Sequence, residues 1–118
     1  IEIDALRIMS TMSAYLSALG KEKRSVNTGM LAGNGTIRAS VKGYASGKLS
    51  KEELHQVWKA VEEALSAGAL GISLGIAYAP EFEYDRDGLV EALQPLKGTD
   101  IPITTHIRNE GDGILLAL

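Results

Sequence analysis

Apolar residues recur at helical spacing in two separate stretches of the chain. In the first, they predict an amphipathic helix over residues 8–19, and Gly20 follows as a glycine suited to the position after a helix end. In the second, Ser50 and Glu53 have the offset of a capping box and predict a longer helix over residues 51–67, which Gly68 would end. The apolar side chains on the expected buried face of this longer helix are Leu54, Val57, Trp58, Val61 and Leu65.

Three short runs are predicted strands, and the absence of polar alternation in residues 70–76 and 101–103 is typical of buried parallel strands. They cover residues 26–32, 70–76 and 101–106. Asn34 and its two flanking glycines predict a tight turn at residues 33–36, and the glycine-containing segment 37–48 is expected to be an irregular loop. After a polar loop over residues 81–86, a third helix is expected over residues 87–96 and a last one over residues 113–118.

The alternation of strand and helix with short links predicts an α/β fold made of right-handed parallel βαβ units. Three parallel strands followed by an unfinished helix would leave sheet edges poorly covered. The first residue is Ile1 instead of Met. Together these features favour an internal part of a larger α/β protein over a complete domain.

The composition narrows the function only broadly. The chain has 118 residues, of which 45% are hydrophobic and 23% are charged, and its formal net charge is -3. This balance is typical of a soluble globular protein and lacks the basic surface that nucleic-acid binding requires, so we expect no nucleic-acid partner. No apolar run reaches the roughly 18 residues of a membrane span, so no membrane insertion is expected.

The absence of cysteine bears on both redox chemistry and metal binding. It excludes disulfides and thiolate ligands within these residues, which leaves histidines and carboxylates as the candidate metal ligands. A protein without cysteine is compatible with the reducing cytoplasm, where we expect this one to be located.

The end of the last predicted strand gathers three chemically active side chains. His106 stands where the strand gives way to polar residues, and Arg108 and Glu110 follow at once. Parallel α/β proteins place their chemistry at this edge of the sheet, and a neutral imidazole is a common metal ligand. His106 can therefore be a metal ligand or a histidine that is hydrogen-bonded at a loop edge. Arg108 can orient a substrate or form a local ion pair with Glu110 at the start of the last helix.

Two further features lie at the ends of the other predicted strands. The backbone amides of residues 33–36 can cradle a small anion or simply form a tight turn. Tyr78 follows the middle strand, where its phenol can line a pocket and donate to a substrate carbonyl, or can pack against the neighbouring loop. The residues alone leave both pairs of alternatives open.

Three segments in this order resemble a known family. The stretches "GNGTIR", "ALSAGALGISLGIAYAP" and "THIRNEGDGILLAL" are similar to those of the N-acyl-D-amino-acid deacylases, or D-aminoacylases, of the amidohydrolase superfamily. The resemblance implies a zinc-dependent hydrolase that is built on a (β/α)8 TIM barrel and cleaves the amide of N-acylated D-amino acids. A complete barrel takes roughly 250 residues. Residues 1–118 would then be an internal fragment of the barrel domain.

The resemblance also assigns roles to single residues. It implies that His106 is a zinc ligand and that Tyr78 lies beside the active site, where we also expect Arg108 to bind the N-acyl amino acid substrate. The remaining ligands and the catalytic aspartate have no counterpart in this sequence. Asn34 stands where the family commonly carries a histidine, and the stretch "YAPEFEYD" departs from the proline- and glycine-rich loop that is usual there.

Three alternatives follow for the function. The leading hypothesis is a metal-dependent amide hydrolase whose fragment is inactive alone, since catalytic zinc ordinarily takes three protein ligands. The second is a stand-alone α/β module that binds a small anion or a partner without catalysis, and the third is a barrel that kept its fold and lost its metal. An isolated fragment is also expected to self-associate through its exposed sheet edges.

Overall fold

A three-stranded parallel sheet forms the centre of the computed structural model, which describes residues 11–117. The strands are β1 (Leu31–Gly33), β2 (Gly71–Gly75) and β3 (Ile103–His106), in the spatial order β1-β2-β3. β2 pairs in parallel with both neighbours, and its last residue, Gly75, lies opposite His106. This topology confirms the predicted α/β fold class with parallel crossovers.

Helices connect the strands, and α2 and α3 contact the sheet. Two 3₁₀ turns, at Glu81–Glu83 and Gln94–Leu96, flank the fourth α-helix. The α-helices are α1 (Met12–Lys21), α2 (Asn34–Lys42), α3 (Lys51–Ser66), α4 (Arg86–Ala92) and α5 (Ile114–Ala117).

The long helix α3 forms as the sequence predicts. The Ser50 hydroxyl accepts a hydrogen bond from the backbone N–H of Glu53 at 3.2 Å, and the Ser50 N–H donates to the Glu53 carboxylate at 2.7 Å. This reciprocal pair satisfies two N–H groups that the start of a helix leaves free. Gly68 follows with φ +108°, which confirms its predicted position just beyond the helix end.

The region before α3 corrects two predictions. Residues 33–36 do not form a tight turn, because α2 begins at Asn34, and residues 37–42 continue the helix where an irregular loop was expected. Ile37 and Val41 pack against the core one helical turn apart, and Arg38 is fully buried between them. A buried arginine interrupts the apolar pattern, so the helical period was not visible in the sequence.

The first helix and the first strand also differ from the prediction. The last residue of α1 is Lys21, and Glu22 caps the helix. Gly20 therefore lies inside α1, and the prediction that it follows the helix end was wrong. The part of the predicted helix over residues 8–10 lies outside the described residues. β1 contains only Leu31–Gly33, which pair with Gly71–Ser73 of β2, and residues 26–30 are irregular.

The third predicted helix divides into two pieces. Asp85 caps α4 by accepting a hydrogen bond from the N–H of Gly88 at 2.8 Å, and a 3₁₀ turn follows, with Pro95 near its start. The last helix, α5, is shorter than expected within the described part of the chain. These shifts of one or a few residues leave the order of elements unchanged.

The core is formed by residues of β1, β2 and the helices α3 and α4, with α2 packed against it. Val57 and Val61 of α3 are fully buried, as is Ile72 of β2, and Trp58 packs only partly inside. β3 is different, because its first three residues are exposed and Ile103 keeps 46% of its surface accessible. None of the helices between residues 11 and 117 combines the length and the apolar character that a membrane span requires.

Candidate active site at the carboxyl ends of the strands

The carboxyl ends of the three strands meet around one open cleft of about 410 Å³. The cleft is lined by the end of β1 together with the start of α2, and by Gly75 at the end of β2 together with the loop that follows it. His106 at the end of β3 completes the lining. Ligands of parallel α/β proteins bind at this edge, because loops of variable sequence converge there on a rigid sheet. The cleft is therefore the candidate functional site.

His106 occupies the mouth of β3. Its side chain is 38% exposed, and its Nε2 atom lies 3.0 Å from a carboxylate oxygen of Glu110. The structure thus pairs Glu110 with the imidazole, whereas the sequence suggested a pair between Glu110 and Arg108. A carboxylate at this distance can orient the imidazole ring, as carboxylates commonly do for functional histidines.

Tyr78 packs its ring edge against His106. The two ring centroids are 4.7 Å apart and the ring planes meet at 66°. Gly75 makes this approach feasible, since a Cβ atom at that position would lie 3.0 Å from the Tyr78 ring. Tyr78 remains 54% exposed and lines the cleft, so its hydroxyl is accessible from solvent.

Arg108 is directed away from this pair and supports a loop. Its guanidinium donates to the backbone oxygen of Phe82 at 3.0 Å and to the backbone oxygen of Tyr84. These contacts connect the segment after β3 to the loop after β2. A direct contact of Arg108 with substrate stays a prediction.

Glu81 is a site residue that the sequence did not single out. Only 5% of it is exposed, and both of its carboxylate oxygens accept hydrogen bonds. One bond comes from the Asn34 side-chain amide at 2.8 Å and the other from the backbone N–H of Gly75 at 2.7 Å. In the sequence Glu81 is one of several acidic residues in a polar loop, and nothing in that pattern distinguishes it from a solvated carboxylate.

The residues expected to cradle an anion already face an internal carboxylate. The first turn of α2 contains no acidic residue of its own, and the Glu81 carboxylate lies so near Gly35 that a Cβ there would be 2.9 Å from it. A negative charge is favourable at a helix N-terminus, where backbone N–H groups are free. The Glu81 carboxylate thus lies beside the start of α2, on the side that favours a negative charge.

Polar side chains continue beneath the cleft. Arg38 is fully buried, donates to the backbone oxygen of Gly47 at 2.8 Å and lies 5.5 Å from the ring centroid of Tyr84. Burial raises the pKa of the Tyr84 phenol to about 12, and the nearby Asn34 amide and Arg38 guanidinium lessen the rise. The Tyr84 hydroxyl therefore stays protonated at neutral pH.

Two side chains among the described residues are of types that bind metal ions. Imidazole nitrogen and carboxylate oxygen are donors that zinc accepts. His106 lines the cleft, and the Glu110 carboxylate contacts its ring without lining the cleft itself. Across residues 11–117, however, no three His, Cys, Asp or Glu side chains lie close enough together to hold a metal ion. A complete site would need further ligands from outside this part of the chain.

Comparison with known proteins identifies relatives of the whole arrangement. The chain is 34% identical over 104 residues to D-aminoacylase of Alcaligenes xylosoxydans xylosoxydans, which covers 88% of this chain. It is 33% identical over 110 residues to N-acyl-D-aspartate deacylase of the same organism, which covers 92% of this chain. The chain spans 22% of the length of each of these relatives. No protein-family model matches the chain.

Solved structures give the same result. A crystal structure of D-aminoacylase, described as defining a novel subset of amidohydrolases, superimposes with a TM-score of 0.84 at 31% identity. A second D-aminoacylase structure, described as having a binuclear metal centre, matches with a TM-score of 0.84 at 30% identity. In each case the superposition covers 91% of this chain and 23% of the D-aminoacylase chain. Over most of its length, the chain is thus a homologue of one segment of the D-aminoacylases, which are amidohydrolases.

Proposed function

We propose that this chain is a segment of the barrel domain of a longer metal-dependent amidohydrolase that cleaves the amide of N-acyl-D-amino acids. The observation that carries the proposal is the place of His106 at the carboxyl end of a parallel strand, facing a cleft, in a chain homologous to D-aminoacylases. In this proposal His106 supplies one ligand to a metal ion, and zinc suits its nitrogen donor.

The described residues near that ion would have separate roles. A bound metal supplies Lewis-acid polarisation of the amide carbonyl and a more acidic water. Glu110, 3.0 Å from the His106 Nε2, holds the imidazole at the cleft mouth. Tyr78 lines the cleft beside the ring, where its hydroxyl can donate to an oxygen of the acyl group or the carboxylate of the substrate.

The 118-residue chain by itself should not catalyse the reaction. A single histidine and a carboxylate do not make up the three protein ligands that a catalytic zinc ordinarily takes. The general base also has no counterpart that we identify here. Activity is therefore expected only from the full-length protein.

The experiment that tests the proposal removes the imidazole from the full-length protein. His106→Ala should lower the bound zinc, measured by inductively coupled plasma mass spectrometry, because a metal ligand is lost. Hydrolysis of N-acetyl-D-amino acids should fall by at least about a hundredfold, since even outer-shell changes at metal sites cost up to that factor.

A matched control uses the other histidine of the chain. His55 is exposed on α3, and its ring meets the edge of Trp58 at 5.6 Å, away from the cleft. His55→Ala should keep both the metal content and the activity of the unaltered protein. If His106→Ala also keeps both, His106 is not a ligand and the proposed role is wrong.

A further inference from the structure

We propose that Glu81 is a positioning residue, which ties the ends of β1 and β2 together and thereby holds Tyr78 against His106. The proposal rests on the proposed function, since it concerns the same cleft. It assigns a task to a buried carboxylate that neither the sequence pattern nor the resemblance to D-aminoacylases singled out.

Glu81 joins two elements that are distant along the chain. Asn34, its first partner, lies 47 residues earlier at the start of α2, directly after β1. Gly75, its second partner, is the last residue of β2. Because an ionised carboxylate only accepts hydrogen bonds, the two donors from two strand ends are both drawn to one side chain.

The surroundings of the carboxylate fit it closely. A Cβ atom at Gly35 would lie 2.9 Å from the Glu81 Oε2 atom, and one at Gly75 would lie 3.2 Å from it. A side chain at Gly35 would push the Glu81 carboxylate out of its place, and one at Gly75 would press against it. The side chain lies in a cradle formed by Asn34, Gly35 and Gly75.

The same cradle determines where Tyr78 lies. The N–H of Tyr78 donates to the backbone oxygen of Gly75 at 3.1 Å, and the N–H of Phe82 donates to the backbone oxygen of Tyr78 at 2.9 Å. Backbone hydrogen bonds thus connect Tyr78 to Gly75, which donates to the Glu81 carboxylate, and to Phe82, which follows Glu81. Moving the carboxylate would move this turn and, with it, the ring that contacts His106 at 4.7 Å between centroids.

An exchange of partners tests the proposal in the full-length protein. Asn34→Asp places two carboxylates at hydrogen-bond distance, so the bond should break and the turn should shift. Glu81→Gln alone should be mild, because the Asn34 amide can turn its oxygen toward the new amide. The double variant Asn34→Asp, Glu81→Gln restores a donor facing an acceptor and should recover the arrangement.

Two measurements follow the variants. The first is the ¹³C–¹H resonance of the His106 ring, assigned by its loss in His106→Gln, which reports the position of the Tyr78 ring. The second is kcat/KM for an N-acetyl-D-amino acid, which should fall about tenfold or more in Asn34→Asp, since small misplacements of positioned groups are costly. In the double variant the His106 resonance should return to its position in the unaltered protein. The kcat/KM should return to within about threefold of the value of the unaltered protein.

A matched control lies two residues along the same 3₁₀ turn. Glu83 also accepts a single backbone hydrogen bond, from Gly47 at 3.0 Å, but it does not line the cleft. Glu83→Gln should change neither the His106 resonance nor kcat/KM. If Asn34→Asp fails to fold, Glu81→Ala replaces it as the variant that breaks the bond.

The outcomes separate this proposal from the proposed function. An unchanged His106 resonance in the variant that breaks the bond would overturn the positioning role, as would a folded double variant that recovers neither measurement. If the full-length protein hydrolyses no N-acyl-D-amino acid, the resonance alone still decides whether Glu81 positions Tyr78.

Discussion

Tyr84 shows how a single buried residue makes stability depend on pH. Its side chain is only 5% exposed, and its hydroxyl has no hydrogen-bond partner among the described residues. The apolar surroundings favour the neutral phenol, so the pKa is raised from 10.0 to about 12 in the folded chain. In the unfolded chain this phenol would titrate at its ordinary pKa.

The free energy of unfolding should therefore fall as pH rises from 10 to 12. In this window the unfolded chain releases the Tyr84 proton first and binds fewer protons than the folded chain, so the slope is negative. The full decline attributable to Tyr84 is about 2 to 3 kcal/mol at most. Urea unfolding at several pH values would measure it.

Tyr84→Phe should flatten this decline, because a phenyl ring has no proton to lose. Tyr44→Phe is the matched control, since Tyr44 is 78% exposed, and it should keep the decline of the unaltered chain. Equal slopes for Tyr84→Phe and the unaltered chain would show that Tyr84 is not the residue responsible.

Among the elements, α3 depends most clearly on its local sequence. Its capping box, its buried valines and its terminating glycine all agree with a helix of this length. α2 is the opposite case, because its first residues are Asn34 and Gly35, which have weak helix propensity. Its stability comes from tertiary contacts, including the buried side chains of Asn34 and Arg38.

Ser50→Ala should destabilise the chain by about 1 kcal/mol, because the N–H of Glu53 loses its acceptor at the start of α3. Thermal unfolding followed by circular dichroism would measure the change. Ser46→Ala is the control, since Ser46 is exposed outside any helix or strand and should have little effect. Similar losses in both variants would contradict the role of the cap.

At the scale of the whole molecule, the sheet is incomplete in the described residues. β3 has β2 on one side only, and Ile103 is 46% exposed on it. α5 adds exposed apolar surface, with Leu115 at 83% and Leu116 at 95%. Unpaired strand edges and exposed apolar surfaces commonly pack against other polypeptide segments, from the same protein or from another copy.

We propose that the 118-residue chain self-associates in solution through the free edge of β3. Sedimentation velocity should show concentration-dependent dimers or larger species. Ile103→Lys should reduce the association, because a charged side chain on an edge strand opposes pairing. Val26→Lys, at a residue that is 69% exposed outside the strands, should not. A chain that stays monomeric throughout would contradict the proposal.

The sequence by itself determined the features that depend on local chemistry. Ser50 and Glu53 act within one helical turn, and Gly68 acts at the end of the same helix. The mostly apolar run before Gly75 forms a strand because apolar residues are stable in the buried centre of a parallel sheet. The place of His106 at a strand end followed from the same reasoning, and so did its position at the candidate site.

Only the tertiary structure decided which distant side chains meet. The Asn34 amide and the Glu81 carboxylate are hydrogen-bonded although 47 residues separate them. Similarly, Glu110 contacts His106 while Arg108 supports the loop after β2. For Glu81 the physical reason is that a buried carboxylate is stable only where hydrogen-bond donors converge on it, and that convergence depends on the packing of several elements. The exposed Glu110 and Arg108 find their partners where the fold places the segment after β3.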